Sequence, residues 1–174
     1  MQTLSGYFER NKQDLIVSNY RILIVVSLII IILDQVTKWI VLMNMPMYES
    51  IPIIENFFNL THIHNKGGAF GFMANQSSFI RKILFHGVSL ISLGVIVYFY
   101  HQAPANYPFL LTALSLIFGG AVGNLIDRFR MGEVVDFLDF YIGSYHWPAF
   151  NVADSAVSVG VTVLMYYMII KKVL

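Results

Sequence analysis

Four stretches of the chain stay apolar for nearly the thickness of a bilayer: residues 22–42, 83–100, 109–123 with a few flanking positions, and 152–170. A hydrocarbon core about 30 Å thick needs roughly 20 mostly apolar residues per helix, so each stretch predicts a membrane span. The first is interrupted by Asp34, Gln35 and Lys38, and its clean part, 22–33, is as short as a secretory signal core. No small-residue cleavage site follows it, and Glu9 and Asp14 precede it, so a retained helix is expected. Polar positions gather between the spans. Residues 43–78 hold Pro46, Pro52, Asn65 and Gly67-Gly68, residues 101–108 form a short turn, and residues 124–151 hold most of the remaining acids. Four spans put both long loops on one side of the membrane and both termini on the other. Within those loops, 57–64 and 133–141 are rich in β-branched and aromatic residues and predict short strands. Tyr145, Trp147 and Phe150 are candidate anchors at headgroup level. The expected fold is membrane α-helical, a four-transmembrane-helix bundle with a small β platform.

Composition agrees. Of 174 residues, 57% are hydrophobic and 12% charged, against about 25% charged in an average soluble domain. A single domain, 1–174, is expected, with 1–19 as a polar N-terminal leader. The net charge of +1 offers no footprint for a nucleic acid. The absence of cysteine removes disulfides, thiolate metal sites and cysteine nucleophiles. Basic residues do not orient the chain. Arg10, Lys12, Arg21, Lys171 and Lys172 on the termini side are matched by Lys66, Arg81, Lys82, Arg128 and Arg130 on the loop side. Lys171-Lys172, abutting the last span, lean towards a cytoplasmic C-terminus.

The acids carry the chemistry. Asp127, Glu133, Asp136, Asp139 and Asp154 all fall in the second long loop or at the helix ends beside it. A charge near hydrocarbon is costly, so such groups pair, line a cavity or react; a solvated interfacial aspartate is the plainer alternative for any single one. Two carboxylates at close range cannot both ionise, and a pair sharing one proton can act as base and acid on an amide. Asp136 lies in a strand-like run and Asp154 opens a helix, two rigid elements able to hold such a pair. Together they are the expected catalytic residues.

Five blocks then bear a resemblance. Asp34-Gln35-Val36-Thr37-Lys38, Asn65-Lys66-Gly67-Gly68-Ala69-Phe70, Gly119-Gly120-Ala121-Val122-Gly123-Asn124-Leu125-Ile126-Asp127-Arg128, Gly132-Glu133-Val134-Val135-Asp136-Phe137 and Phe150-Asn151-Val152-Ala153-Asp154-Ser155 follow one another through nearly everything after Asn19. In kind and order they resemble the motifs of the bacterial lipoprotein signal peptidases (signal peptidase II). The resemblance implies an aspartic endopeptidase of the bacterial plasma membrane, with an extracytoplasmic active site and cytoplasmic termini. It implies a diacylglyceryl-modified prolipoprotein as substrate, cut just before the lipidated cysteine, with membrane lipids as the other partner. Asp136 and Asp154 match the family's catalytic pair. No cofactor and no metal are expected, and a monomer is the expected working unit. Gly68 stands where the family usually has alanine.

Other residues take supporting roles beside plainer readings. Asp34 and Lys38, four apart on a helix, can form a structural ion pair that makes the interrupted span tolerable. Asn65 before Gly67 reads as an ordinary turn, and the resemblance makes both substrate contacts. Asn124, Asp127 and Arg128 follow the glycines at the end of the third span; Arg128 is expected to bind a substrate carbonyl or hold Asp127, or simply to snorkel. Asn151, three residues before Asp154, is placed to orient that carboxylate or the peptide. Gly119 and Gly123 have small-xxx-small spacing, for helix packing or for room beside a signal peptide. His62 and His64 share a strand face, but without a third ligand at recognisable spacing they do not predict a metal site. Two rival functions remain. A lipid transferase would hold Mg²⁺ on Asp127, Asp136 and Asp139, and a transporter would use Asp34–Lys38 as a proton relay.

Overall fold

The computed structural model describes residues 4–66 and 78–174. Helices α1 (Leu4–Asn44), α2 (Ser78–Gln102), α3 (Pro108–Met131) and α4 (Val152–Met165, prolonged by a π-helical turn over Tyr166–Ile170) carry four spans. Strands β1 (Ser50–Ile54), β2 (Phe58–Asn65), β3 (Val134–Ile142) and β4 (Tyr145–His146) form one antiparallel sheet in that order. The predicted architecture, four spans with a small β platform, is the observed one. Residues 4–19, within the expected leader, form the first part of α1. Two details differ. The third span runs to Met131, so the second long loop begins at Gly132. Two strands, β1 and β4, join the two expected ones.

The longer α3 has a physical cause. Asn124 and Asp127 are buried, turned inward to polar partners, so the helix continues past the point where its apolar run ends. It stops at Gly132, whose left-handed backbone (φ 77°) lets its N–H close on the Arg128 carbonyl at 3.0 Å.

Helix α3 is the centre of the bundle. In its most apolar stretch 61% of residues are buried, against 22%, 11% and 17% in the other three spans. Leu110, Leu111, Leu114 and Ile117 pack with Ile96 and Tyr100 of α2, and Ile22, Leu23, Leu164 and Tyr167 border them. At the other end, small residues bring three helices close. A Cβ on Gly119 would sit 3.0 Å from the Ser27 backbone, and one on Gly120 would collide with the Ala153 carbonyl. Helix packing is therefore what the glycines of α3 serve.

The sheet is fastened under the end of α1. Val135 and Phe137 point into a cluster with Val41 and Met45, which leaves Asp136 on the opposite face. Pro52 is accommodated because β1 is an edge strand, paired irregularly with β2 between Pro52 and Ile54. Tyr145 and Trp147 are exposed, as interfacial anchors would be. Phe150 is instead half-buried, with backbone bonds to Leu138 and its ring stacked on Phe140.

Candidate active site

Asp136 arrives on β3 and Asp154 on the first turn of α4. Asn151 caps α4 by accepting the Asp154 N–H at 2.9 Å, while its own N–H donates to the Asp154 carboxylate at 3.3 Å. Such a capping box fixes both the helix start and the acid's rotamer. The Asn151 amide meanwhile reaches the other acid: its Nδ2 donates to Asp136 Oδ1 at 2.7 Å and to Asn124 Oδ1 at 3.1 Å. Asn124 Nδ2 donates to Asp154 Oδ1 at 2.7 Å, and Asn65 Nδ2 donates to Asp136 Oδ2 at 3.0 Å. Three amides thus hold two carboxylates. Both acids open on a cavity of about 520 Å³ bounded by Asn65, Arg128, Trp147 and Phe150.

Below the pair lies a buried cation. Lys38 Nζ stands 2.8 Å from Asp34 Oδ2, 2.8 Å from Asp127 Oδ2 and 2.9 Å from Asn124 Oδ1. The three charged side chains are 2%, 0% and 1% exposed, so every charge must be answered within the protein. Gln35 adds a donor to both acids, 3.1 Å to Asp34 and 3.0 Å to Asp127. The remaining bonds are informative. Asp34 Oδ1 accepts the N–H of Ala153 at 3.0 Å, one residue before Asp154. Asp127 Oδ2 accepts the N–H of Val135 at 3.3 Å, one residue before Asp136. Each site acid therefore follows a backbone anchor, and Lys38 ties the two anchors together.

Electrostatics separates Asp136 from an ordinary carboxyl. Burial, and then the neighbouring charge of Asp154, push it up to about 7, although the amides of Asn65 and Asn151 and the charge of Lys38 oppose the rise. Arg128 faces Asp154, Asp136 and Asp127 with its positive charge, and its guanidinium lies 5.3 Å above the Phe85 ring.

The fold gathers Asp34, Lys38, Asn65, Asn124, Asp127, Arg128, Asn151, Asp136 and Asp154 into one assembly; Gly67, with Gly68, lies outside the described residues. Two expectations change in detail. Asp127 is held by Lys38, Gln35 and the Val135 N–H, while Arg128 leans on the Asn124 carbonyl at 3.5 Å. Asn151 touches both acids rather than Asp154 alone. Sequence reasoning gave no role to Gln35, noted as an interruption of the first span and as part of the first block, and it missed the cavity wall of Ser155, Ser158 and Val159. Counting from Asp154 by helical spacing would have found Ser158. Asp139 belongs elsewhere, bound to Asn59 at 2.9 Å and His146 at 2.8 Å.

A helical bundle whose clustered acids converge on a cavity of about 520 Å³ at one end defines a polytopic membrane enzyme. The relatives are specific about which. The family model described as signal peptidase (SPase) II matches residues 26–170. The chain is 54% identical to the lipoprotein signal peptidase of Desulforapulum autotrophicum over 87% of this chain and 93% of that one. It is 46% identical to that of Syntrophus aciditrophicus over 83% and 89%. A solved bacterial membrane enzyme superimposes with a TM-score of 0.77 at 36% identity, over 86% of this chain and 88% of the other. The chain belongs to the signal peptidase II family and is a membrane peptidase.

Proposed function

We propose that this peptidase removes the signal peptide from diacylglyceryl-modified prolipoproteins at the outer face of the bacterial plasma membrane. It cuts just before the lipidated cysteine, with Asp136 and Asp154 as its catalytic pair. The observation that carries this reading is the pair itself, bridged by Asn151 and Asn124 over a shared cavity, with one member raised to about 7. At neutral pH two such acids hold one proton between them. The ionised carboxylate takes a proton from water as the water oxygen bonds to the scissile carbonyl carbon. The protonated carboxyl gives its proton to the carbonyl oxygen. Collapse then breaks the C–N bond: the first acid passes its proton to the leaving amine, and the carbonyl oxygen returns the other to the second. Asp136 is suited to hold the shared proton. Asn65 and Arg128, at the cavity wall, are suited to bind the extended peptide, and exposed Tyr145 and Trp147 to rest among lipid headgroups.

The test uses purified full-length protein with a diacylglyceryl-modified precursor and its unlipidated twin. Asp136→Asn and Asp154→Asn each abolish cleavage while the protein stays folded, EDTA has no effect, and the lipidated precursor is strongly preferred. Substantial turnover by either variant would remove the dyad. Equal cutting of both precursors would remove the lipid specificity, and loss of activity in chelator would favour a metal-dependent mechanism instead.

A further inference from the structure

Helix α4 brings three hydroxyls to the bundle, and one of them is spare. Ser155 Oγ donates to the Asn151 carbonyl at 2.9 Å, and Thr162 Oγ1 donates to the Ser158 carbonyl at 2.8 Å. This return to the carbonyl four residues back is the ordinary resting place of a hydroxyl inside a helix. The Ser158 hydroxyl does not take it. Ser158 is exposed on the cavity wall, and its hydroxyl has no hydrogen-bond partner among the described residues.

The depth of that hydroxyl follows from the helices. Helix α3 runs up to the platform and α4 runs away from it, and the Asn124–Asp154 hydrogen bond, at 2.7 Å, sets a common level. Four residues along either helix make about 6 Å and little more than one turn, so the side chain stays on the same face. Arg128 therefore stands one turn from that level on the platform side, and Ser158 one turn on the span side. A signal peptide is held in the membrane by its apolar stretch, so the residues before the scissile bond rise past Ser158 and those after it leave past Arg128. Carbonyls on the first path lack partners. A helix ends on four unpaired C=O groups, and the extended residues beyond it pair with nothing of their own. Hydrocarbon holds no water to answer them. Beside Ser158, exposed Val159 offers only methyl groups.

We propose that Ser158 binds the substrate by giving its hydroxyl hydrogen to a backbone carbonyl of the signal peptide. An extended chain advances about 3.3 Å per residue, so a drop of about 6 Å from Asp154 places that carbonyl about two residues before the cut. The bond is made to a part of the chain that does not react. It is equally strong before and during the reaction, and so it lowers KM rather than raising kcat. This rests on the prolipoprotein reading above and adds to it a contact on the membrane side of the cut.

The experiment compares purified full-length wild type with Ser158→Ala, Ser158→Thr and Ser158→Val on the lipidated precursor; threonine and valine match in shape and differ in the hydroxyl. KM rises about three- to tenfold in Ser158→Ala and Ser158→Val, the contribution of one neutral hydrogen bond, and stays within about twofold of wild type in Ser158→Thr. The kcat and the thermal unfolding midpoint hold in all three. A precursor with a thioamide, a weaker acceptor, two residues before the cut loses the same factor with wild type and nothing further with Ser158→Ala. Unchanged KM in Ser158→Ala and Ser158→Val overturns the proposal. So does an equal loss in Ser158→Thr, which marks an effect of shape, or a fall in kcat with KM unmoved, which marks a displaced Asp154. A thioamide penalty equal in both proteins overturns it as well. Turnover by Asp136→Asn would remove the dyad and leave these ratios as they are, so the two failures are distinguishable.

Discussion

Lys38→Met is the severest single change the structure suggests outside the carboxylate pair. Methionine keeps the length and most of the apolar stem but deletes a charge that lies 2.8 Å from each of two acids and 2.9 Å from the Asn124 oxygen. At 0% and 1% exposure, Asp34 and Asp127 gain no solvation in return. Breaking a buried ion pair by removing one partner costs about 3–5 kcal/mol, because the surviving charge stays buried. Here two charges survive, so the upper end is expected. The remaining donors, Gln35 and the Ala153 and Val135 N–H groups, soften the loss without replacing a cation. Reversible unfolding in mixed detergent micelles measures it. Asp34→Asn/Lys38→Met should recover about half the loss, since it leaves one buried carboxylate instead of two, and the coupling in the cycle should reach about 1–3 kcal/mol. Turnover should fall in both variants because the anchors before Asp136 and Asp154 are no longer tied. A Lys38→Met protein within about 0.5 kcal/mol of wild type, or a double variant no better than the sum of its singles, would refute the argument.

Other outcomes are expected. Gly123→Ala would place a Cβ 2.7 Å from Asp34 Oδ2, prising that acid from Lys38 and Ala153; a loss of about 1–3 kcal/mol in the same unfolding assay is expected, with reduced cleavage. The pH dependence of stability should betray Asp136. Its folded pKa is raised from 3.8 to about 7, so its contribution is fully present below pH 3.8 and is lost as pH rises through about 7. At about 1.36 kcal/mol per pKa unit the effect is on the order of 4 kcal/mol at most, and Asp136→Asn should therefore be more stable than wild type at pH 8 while inactive. Thermal unfolding at pH 5 and pH 8 reads the difference, and an equal gap at both would count against it. The same titration predicts that cleavage declines above about pH 7, as the shared proton leaves.

The spans and the two site acids were legible because length and cost mark them. Twenty apolar residues have few uses other than crossing a bilayer, and carboxylates clustered at span ends demand a reason. What was illegible is long-range or small. Gln35 looks like a blemish in an apolar run until Gly123 and Asp127, the latter 92 residues on, supply its partners. Inward-facing Asn124 and Asp127 made α3 look shorter than it is, since a hydropathy count cannot tell a polar residue met by Lys38 from one met by water. Strand β1 was hidden by Pro52, and β4 is only two residues long. That the Asn151 side chain would serve one acid and its backbone the other could not be read from spacing, because β3 and α4 meet only in the folded chain.

The arrangement beneath the acids has a consequence for anyone wishing to build with them. A design that copied only residues 136 and 154 onto a synthetic bundle would inherit two repelling groups and nothing to set their separation. The transferable unit is larger: a lysine clasped by two further acids, each taking one backbone amide hydrogen from the strand or helix to be aligned. Grafted together, those parts would bring their own ruler.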